Sequence, residues 1–359
     1  MRTGVREGAL QTAASWGVMV SSWLGGVVLA NSVPVTSGRV SWSVSNRVTS
    51  ALRMTVPRTS VEGGRTFDWR PSDPRAPLAR YGQTLDVSLL VDGVLLRLGR
   101  FLITDWSDND DGSISVTGAG QLRFVADDRL TAATAPRDDG TLRSEFARLT
   151  PGYMSAQFHA SLVDRAVPKT MEWKEDRLAA LYEIADTWPA RLREDSWGGI
   201  TVLPPLPEVP VPVVSLTDGE GGTVVSATTT DTRDGAYNVF VVRSSKDGVD
   251  AQAEAQVSDG PMNASGAYRP VPKFYSSPLL DNEEQCLATA QNMRAESVRQ
   301  SRVRKVTMAP DPRLELDDPV ELVIEKGTTT QAREWGYVVG VELPLTVGDG
   351  PGRLDVAIP

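Results

Sequence analysis

A mainly β chain with an α+β insert is the fold class this sequence predicts, and three observations carry it. Apolar and polar residues alternate at a period of two through 37–57 and again through 84–103, as in strands with one polar face. Turn pairs containing glycine punctuate these runs at Gly25-Gly26, Asp92-Gly93 and Asp111-Gly112. Helical spacing of apolar residues is confined to short stretches between 141 and 188 and to one long stretch, 282–300.

Taken in order, SWGVMVSSWLGGVVLA (15–30) reads as strand, Leu24-Gly25-Gly26 turn and returning strand. Arg2 and Arg6 precede it as in a signal peptide, but the run is too short and too broken by Ser and Gly to span a bilayer. A soluble product with no membrane anchor is expected. Val40 and Trp42, then Leu52, Met54 and Val56, mark strands that end at Pro57. Pro71, Pro74 and Pro77 exclude a regular helix there. Leu85, Val87 and Leu89 form a strand, Asp92-Gly93 its hairpin turn, and Leu95 to Ile103 the return. A second turn, Asp110-Asp111-Gly112, leads into SISVTGAG.

The character changes over 131–205. Thr141 can cap a short helix with Leu142, Phe146 and Leu149 on one face, stopped by Pro151-Gly152. Leu178, Leu181, Ala185 and Trp188 share the face of a second helix that Pro189 ends. Arg191–Glu194 and Ile200–Leu203 flank a turn and make a hairpin. PPLPEVPVPVV (204–214) is stiff and extended, a connector or an edge strand. Further on, YNVFVVR (237–243) reads as a strand covered on both faces, and 244–272 as a long surface loop. The helix 282–300 is capped by Asp281 or Asn282 and carries Leu287, Ala290, Met293 and Ser297 on one stripe. That stripe is expected to bury Leu287, Ala290 and Met293 against the strands starting at Tyr237 and Val320. Val303, Val306 and Met308 begin the next strand, Pro310 and Pro312 end it, and Leu314–Asp318 is a turn before PVELVIEKG.

The order of these pieces resembles the baseplate-hub or minor tail protein family of tailed phages, in versions found in phages of actinobacteria. The resemblance rests on ARYGQTLDV, LGRFLITDW and SISVTGAGQLRFVADDRL in the first half. In the second it rests on YNVFVVR, FYSSPLL, the helix 282–300 and PRLELDDPVEL (312–322). It covers about residue 20 to residue 347. Within the last motif Pro312, Leu314, Leu316, Asp317 and Val320 fit; the family usually has Gly before the acidic residue, where this chain has Asp317. The resemblance implies tail-tube-like β-barrel domains, divided as 1–130, a helix-plus-hairpin module with its Pro-rich connector over 131–212, and a second tube-like domain over 213–359. It implies a homo-oligomeric ring, usually a trimer, in the virion at the tail tip, assembled in the host cytoplasm. Its partners would be a distal tail or tail-tube protein, tail-tip or receptor-binding proteins and the tape measure. Tyr237, Asn238, Arg243, Leu287, Pro312 and Asp317 are the expected structural and assembly residues.

Composition narrows the chemistry. With 37 Lys and Arg against 46 Asp and Glu, the net charge of −9 argues against a duplex-binding surface, so genome DNA would pass through without specific binding. One cysteine, Cys286, rules out an internal disulfide, and one histidine, His159, leaves little for a metal centre; no cofactor is expected. Asp108-Asn109-Asp110-Asp111 looks like a calcium loop, but Ala119 stands where the closing Glu belongs, so a solvated hairpin tip is the better reading. His159 has no nucleophile-elbow motif near it, and GEGG (219–222) is not followed by Lys-Ser or Lys-Thr. RQSRVRK (299–305) is the one basic run, either the last turn of its helix or a surface toward an acidic neighbour. A structural protein is expected, not an enzyme. The rivals are a carbohydrate- or receptor-binding tip protein, with Trp69, Trp106 and Trp197 near turns, and a cell-wall hydrolase, which would need a further catalytic domain.

Overall fold

The computed structural model describes residues 1–3, 16–62, 64–326 and 330–358. Arg6 and Ser15, named above, lie outside them. The N-terminal strands are β1 (Trp16–Leu24), β2 (Val27–Ala30), β3 (Ser37–Ser43), β4 (Ser50–Val56), β5 (Thr59–Glu62), β6 (Arg65–Asp68), β7 (Thr84–Val91), β8 (Val94–Asp108) and β9 (Ile114–Gly120). The middle holds α1 (Leu122–Asp127), α2 (Leu142–Leu149), β10 (Ala156–Phe158), α3 (Arg177–Thr187), β11 (Arg191–Glu194) and β12 (Ile200–Leu203). The C-terminal part contains β13 (Val214–Thr217), β14 (Val224–Asp231), β15 (Val239–Ser244), β16 (Gln252–Gln256), β17 (Pro272–Ser277) and α4 (Glu283–Ser301). It continues with β18 (Arg302–Met308), β19 (Pro319–Lys326), β20 (Thr330–Pro344) and β21 (Gly352–Ala357).

The fold is mainly β, as expected. One large sheet runs β14-β18-β21-β20-β3-β4-β9-β8-β7-β1-β2, with β19 and then β13 branching from β20. The branch exists because β20 is long. Its first part pairs with β19, and Gly340–Pro344 pairs on with β3. Strands from both ends of the chain thus share one hydrogen-bonded sheet. Its alternating inward residues form two cores. Val40, Leu52, Val56, Leu85, Val87, Leu89, Phe101 and Ile103 fill the first, and Leu216, Val306, Leu322, Val338 and Val356 the second, with Trp42 packed against both.

The middle segment has a core of its own. Phe146, Leu178, Leu181, Ile184, Trp188, Ile200 and Val202 pack together, joined by Leu279 from the C-terminal part. Thr141 caps α2 by accepting from the Ser144 N–H, and the predicted face of α3 is buried. The hairpin is there, β11 with β12, and β10 adds to β12 in parallel. The stretch 204–213 carries no strand, so it is a connector; pairing begins at Val214, parallel to Val320.

Two expectations in the C-terminal part are corrected. The supposed surface loop 244–272 contains β16, antiparallel to β15, and β17 lies parallel on its other side. Ala253 and Ala255 alternate inward from β16, too small to stand out as an apolar run. The long helix is capped by Asn282, which accepts from the Gln285 N–H, but it packs on β15 and β16 and not on the strand at Val320. Cys286, Thr289, Ala290 and Arg299 are its buried residues, Met293 is partly buried, and Leu287 is exposed at 38%. The small residues Cys286 and Ala290 pack with Phe240 and Val242, and Leu287 lies outside that buried stripe.

Candidate functional site

The polar constellations of this molecule gather where the middle module meets the two parts of the sheet. Glu194, the last residue of β11, accepts from Ser50 Oγ (2.6 Å), Thr49 Oγ1 (2.9 Å) and the Leu122 backbone N–H (2.6 Å). It thereby ties β4 and the start of α1 to the module. Burial pushes its carboxyl up from the usual range, and these donors hold against that push without cancelling it. The joint is tight: a Cβ at Gly120 would collide with Ser50 Oγ and the Glu194 carboxylate.

Asp317 makes the second joint. It sits at φ 72°, in the left-handed region that favours glycine. Its carboxylate accepts from Arg193 Nε and Nη2, both at 2.7 Å, and from Arg191 Nη1. The turn is also fixed by its backbone, with Asp317 N–H donating to Val338 O at 2.8 Å and Val338 N–H to Asp318 O at 3.0 Å. Pro312 lies between Asp311 and Arg313, a buried bidentate ion pair, and its carbonyl accepts from Arg2. A backbone strained at a non-glycine residue is thus held by two guanidinium groups, which also lock the C-terminal strands to β11.

The other expected site residues surround β15. Asn238 is fully buried. Its amide donates to Met262 O and Arg269 O, each at 2.9 Å, and accepts from the Val271 N–H at 2.7 Å, so it organises the excursion between β16 and β17. Tyr237 exchanges two hydrogen bonds with Ser297 of α4, and Lys273 lies 5.5 Å from its ring centroid. Arg243 is exposed, its guanidinium 5.7 Å from the Phe274 ring centroid. The six residues therefore fall into two sets: Pro312 and Asp317 near the turn facing β11, and the rest at or just before β15 (Tyr237, Asn238, Arg243) or on α4 (Leu287).

A cleft of about 290 Å³ opens between the end of α3, the face of α4 and β17. Asp186, Glu296, Lys273, Tyr275 and Asn292 line it. Burial, then the Glu296 charge, raise the Asp186 carboxyl to about 7, with Glu183 adding to the rise and Lys273 opposing it. Burial also raises Glu296, against Arg299, Arg193, Lys273 and Arg191. The Tyr275 phenol is pushed up by burial and by Asp186 and Glu183.

Elsewhere charges are consumed internally. Asp86 binds Arg100 (2.6 and 2.9 Å) and Arg97 (2.6 Å); burial alone would raise its carboxyl, and these partners hold it below the usual range. Arg97 lies under the Trp197 ring at 4.2 Å, and that indole is 70% exposed, whereas Trp69 is buried. In the basic run, Arg299 is buried near the end of α4, and Arg302 and Arg304 of β18 pair with Glu334. Asp111 caps its own hairpin tip through Ser113. Among the described residues no group of His, Cys, Asp and Glu could hold a metal ion. Asp186, Glu194 and the Arg97–Trp197 pair went unpredicted. The capacity of Glu194 to cap 122 and reach 49–50 depends on contacts distant in sequence, and no local motif marks it.

No family model and no curated protein matches the chain. Solved structures do. A tail protein from Neisseria meningitidis MC58 superposes with a TM-score of 0.66 at 14% identity, covering 95% of this chain and 96% of that one. The 43 kDa tail protein of prophage MuSo2 from Shewanella oneidensis gives 0.62 at 14% identity, over 96% and 100%. An E. coli type VI secretion system component, described as similar to the T4 bacteriophage tail proteins gp27 and gp5, gives 0.50 at 12% identity, over 97% and 75%. The fold is therefore that of phage tail and baseplate-type proteins.

Proposed function

We propose that this chain is a structural tail protein of the baseplate-hub type, a ring-forming subunit at the distal end of a phage tail tube. The observation that carries this reading is the extent of the likeness: both tail proteins are matched from end to end, not over one shared domain. The ring is a homotrimer joining a distal tail or tail-tube protein to tail-tip or receptor-binding proteins, with the tape measure as a further partner. Its domains divide as 1–130, 131–212 and 213–359, and Asp317 with Arg191 and Arg193 sets the angle between the second and third. The net charge of −9 supports a conduit that lets genome DNA slide, because a duplex carries about one negative charge per 1.7 Å and would cling to a basic wall. The protein works by geometry and buried area rather than by turnover, in rotational contacts that close on a cyclic axis.

Native mass spectrometry of the purified protein tests this, with a closed three-subunit ring expected. Monomer alone across micromolar concentrations, with the tail-tube partner present, overturns it. Release of soluble fragments from purified peptidoglycan would instead favour a hydrolase.

A further inference from the structure

We propose that the Pro-rich connector and the outer face of β1, β7 and β8 are the two halves of one subunit contact: the connector of one copy packs on that face of the next. The inference rests on the ring reading above and adds which surfaces close the ring. The connector is more than a spacer. Val209, Val211 and Val213 are exposed at 76%, 79% and 51%, whereas Pro210 between them is buried and Pro212 half-buried. The ribbon therefore turns its prolines to the body and its valines outward. It is tied down at both ends: the Tyr337 hydroxyl donates to Pro207 O, and the Val213 N–H to Pro319 O, each at 2.9 Å. Prolines at 204, 205, 207, 210 and 212 stiffen it, so little chain entropy is left to lose on docking. Pro210 and Pro212 have no N–H to offer an added strand, which leaves the valine face as the adhesive part. A linker that only spans distance has no use for such a stripe in water.

The receiving face is apolar in the same measure. Leu90 and Leu95 oppose each other across β7 and β8, and Gly17, opposite Leu90 on β1, carries no side chain, so the surface is low there. Val18 and Val20 point into the core, which sends Met19 outward; Met19 and Leu95 are 52% and 54% exposed. Trp197 reaches over from the β11–β12 turn, held rigid on Arg97, and bounds one side. Charges match as well. Glu208 heads the valine stripe, and its one contact among the described residues is a loose one, 3.5 Å from Arg294. On the face, Asp86 serves both Arg97 and Arg100, and Asp195 is taken up by the Trp197 and Gly199 N–H groups of its own turn. A guanidinium is left to meet Glu208. Stripe against stripe would instead set Glu208 beside Glu208. Every copy carries both surfaces, and within one chain both stay open to water. Head-to-tail contact covers both at once, and a heterologous contact of this kind closes as a ring when its rotation permits.

A charge-swap series on the full chain tests it, read by native mass spectrometry over a range of concentrations. Val211→Asp and Leu95→Lys each put an unmatched charge in the contact and should each weaken ring assembly by about tenfold or more. The double variant Val211→Asp/Leu95→Lys sets the two new charges against each other and should recover most of that loss. Both positions are exposed, so the urea midpoint of the dissociated subunit should not move. Val211→Ser trims the stripe without adding charge and should weaken assembly by about threefold, which keeps the test open should a charged variant fold poorly. Weakened rings in the single variants with recovery in the double support the contact. Rings unchanged in either charged variant, or no recovery in the double, overturn it and leave the ring reading standing. A wild-type chain that stays monomeric overturns the ring reading and the contact together.

Discussion

Two carboxylates of the middle module, Glu194 and Asp186, make an instructive contrast. Both are pushed up by burial. Glu194 receives two hydroxyls and a backbone N–H and becomes a joint between β11, β4 and α1. Asp186 receives no donor among the described residues and stands exposed to water in a cleft that Glu296 also lines. What makes Glu194 the structural acid is the supply of protein donors; Asp186 is left to water. Asp317 extends the series, since it has two guanidinium partners and needs them to offset a left-handed backbone.

The largest effect that would sharpen this contrast is expected at Asp317. Asp317→Ala leaves Arg191 and Arg193 facing each other without an anion and should cost about 3 kcal/mol in urea unfolding. Asp317→Gly removes the same charge but fits φ 72° without strain, so it should recover about 1 kcal/mol of that loss. Equal losses in the two variants would show that the backbone at this turn is not strained. Next comes Glu194→Ala, which strands two hydroxyls and the Leu122 N–H and should cost about 2 kcal/mol by the same measurement. If it proves neutral, the joint is not made by these hydrogen bonds.

Asp186 should respond to pH in the opposite sense to Asp86. The folded-state pKa of Asp186 is raised, so its contribution is fully present below the unfolded value near 4 and is lost as pH rises through about 7. Asp86 is lowered, so its contribution is present above the unfolded value and lost as pH falls. Asp186→Asn should therefore flatten the decline in melting temperature between pH 5 and pH 8 and leave the acid limb unchanged. A parallel pH profile would break the contrast between joint and cleft. The smallest effect is expected at Leu287, where Leu287→Asp should change stability by no more than about 0.5 kcal/mol, because the side chain is exposed.

Much of the fold was legible wherever a local rule acts alone. The hairpin β7–β8 follows from alternation and Asp92-Gly93, and α2 from Thr141. The cap at Asn282 was one of two candidates, settled by the observed bond to Gln285 N–H. β16 was not legible, since its inward residues are two alanines and its outward ones polar, a pattern that reads as loop. α1 was missed because its cap is not a neighbour: the Leu122 N–H is satisfied by Glu194. Leu287 was misplaced because helical periodicity tells which residues share a stripe but not which stripe meets the sheet.

By itself the sequence determined the β-rich class, the helix-plus-hairpin insert, the turn at 314–318 and the lack of material for a disulfide. All of these rest on interactions within a few residues or on composition. Only the tertiary structure decided that strands from both ends share one sheet through the length of β20, that Asp317 meets Arg191 and Arg193, and that Glu194 meets Thr49, Ser50 and the Leu122 N–H. These are pairings between groups far apart in the chain. An ionisable side chain carries no mark of its partner until the fold has set which donors reach it and how much water remains.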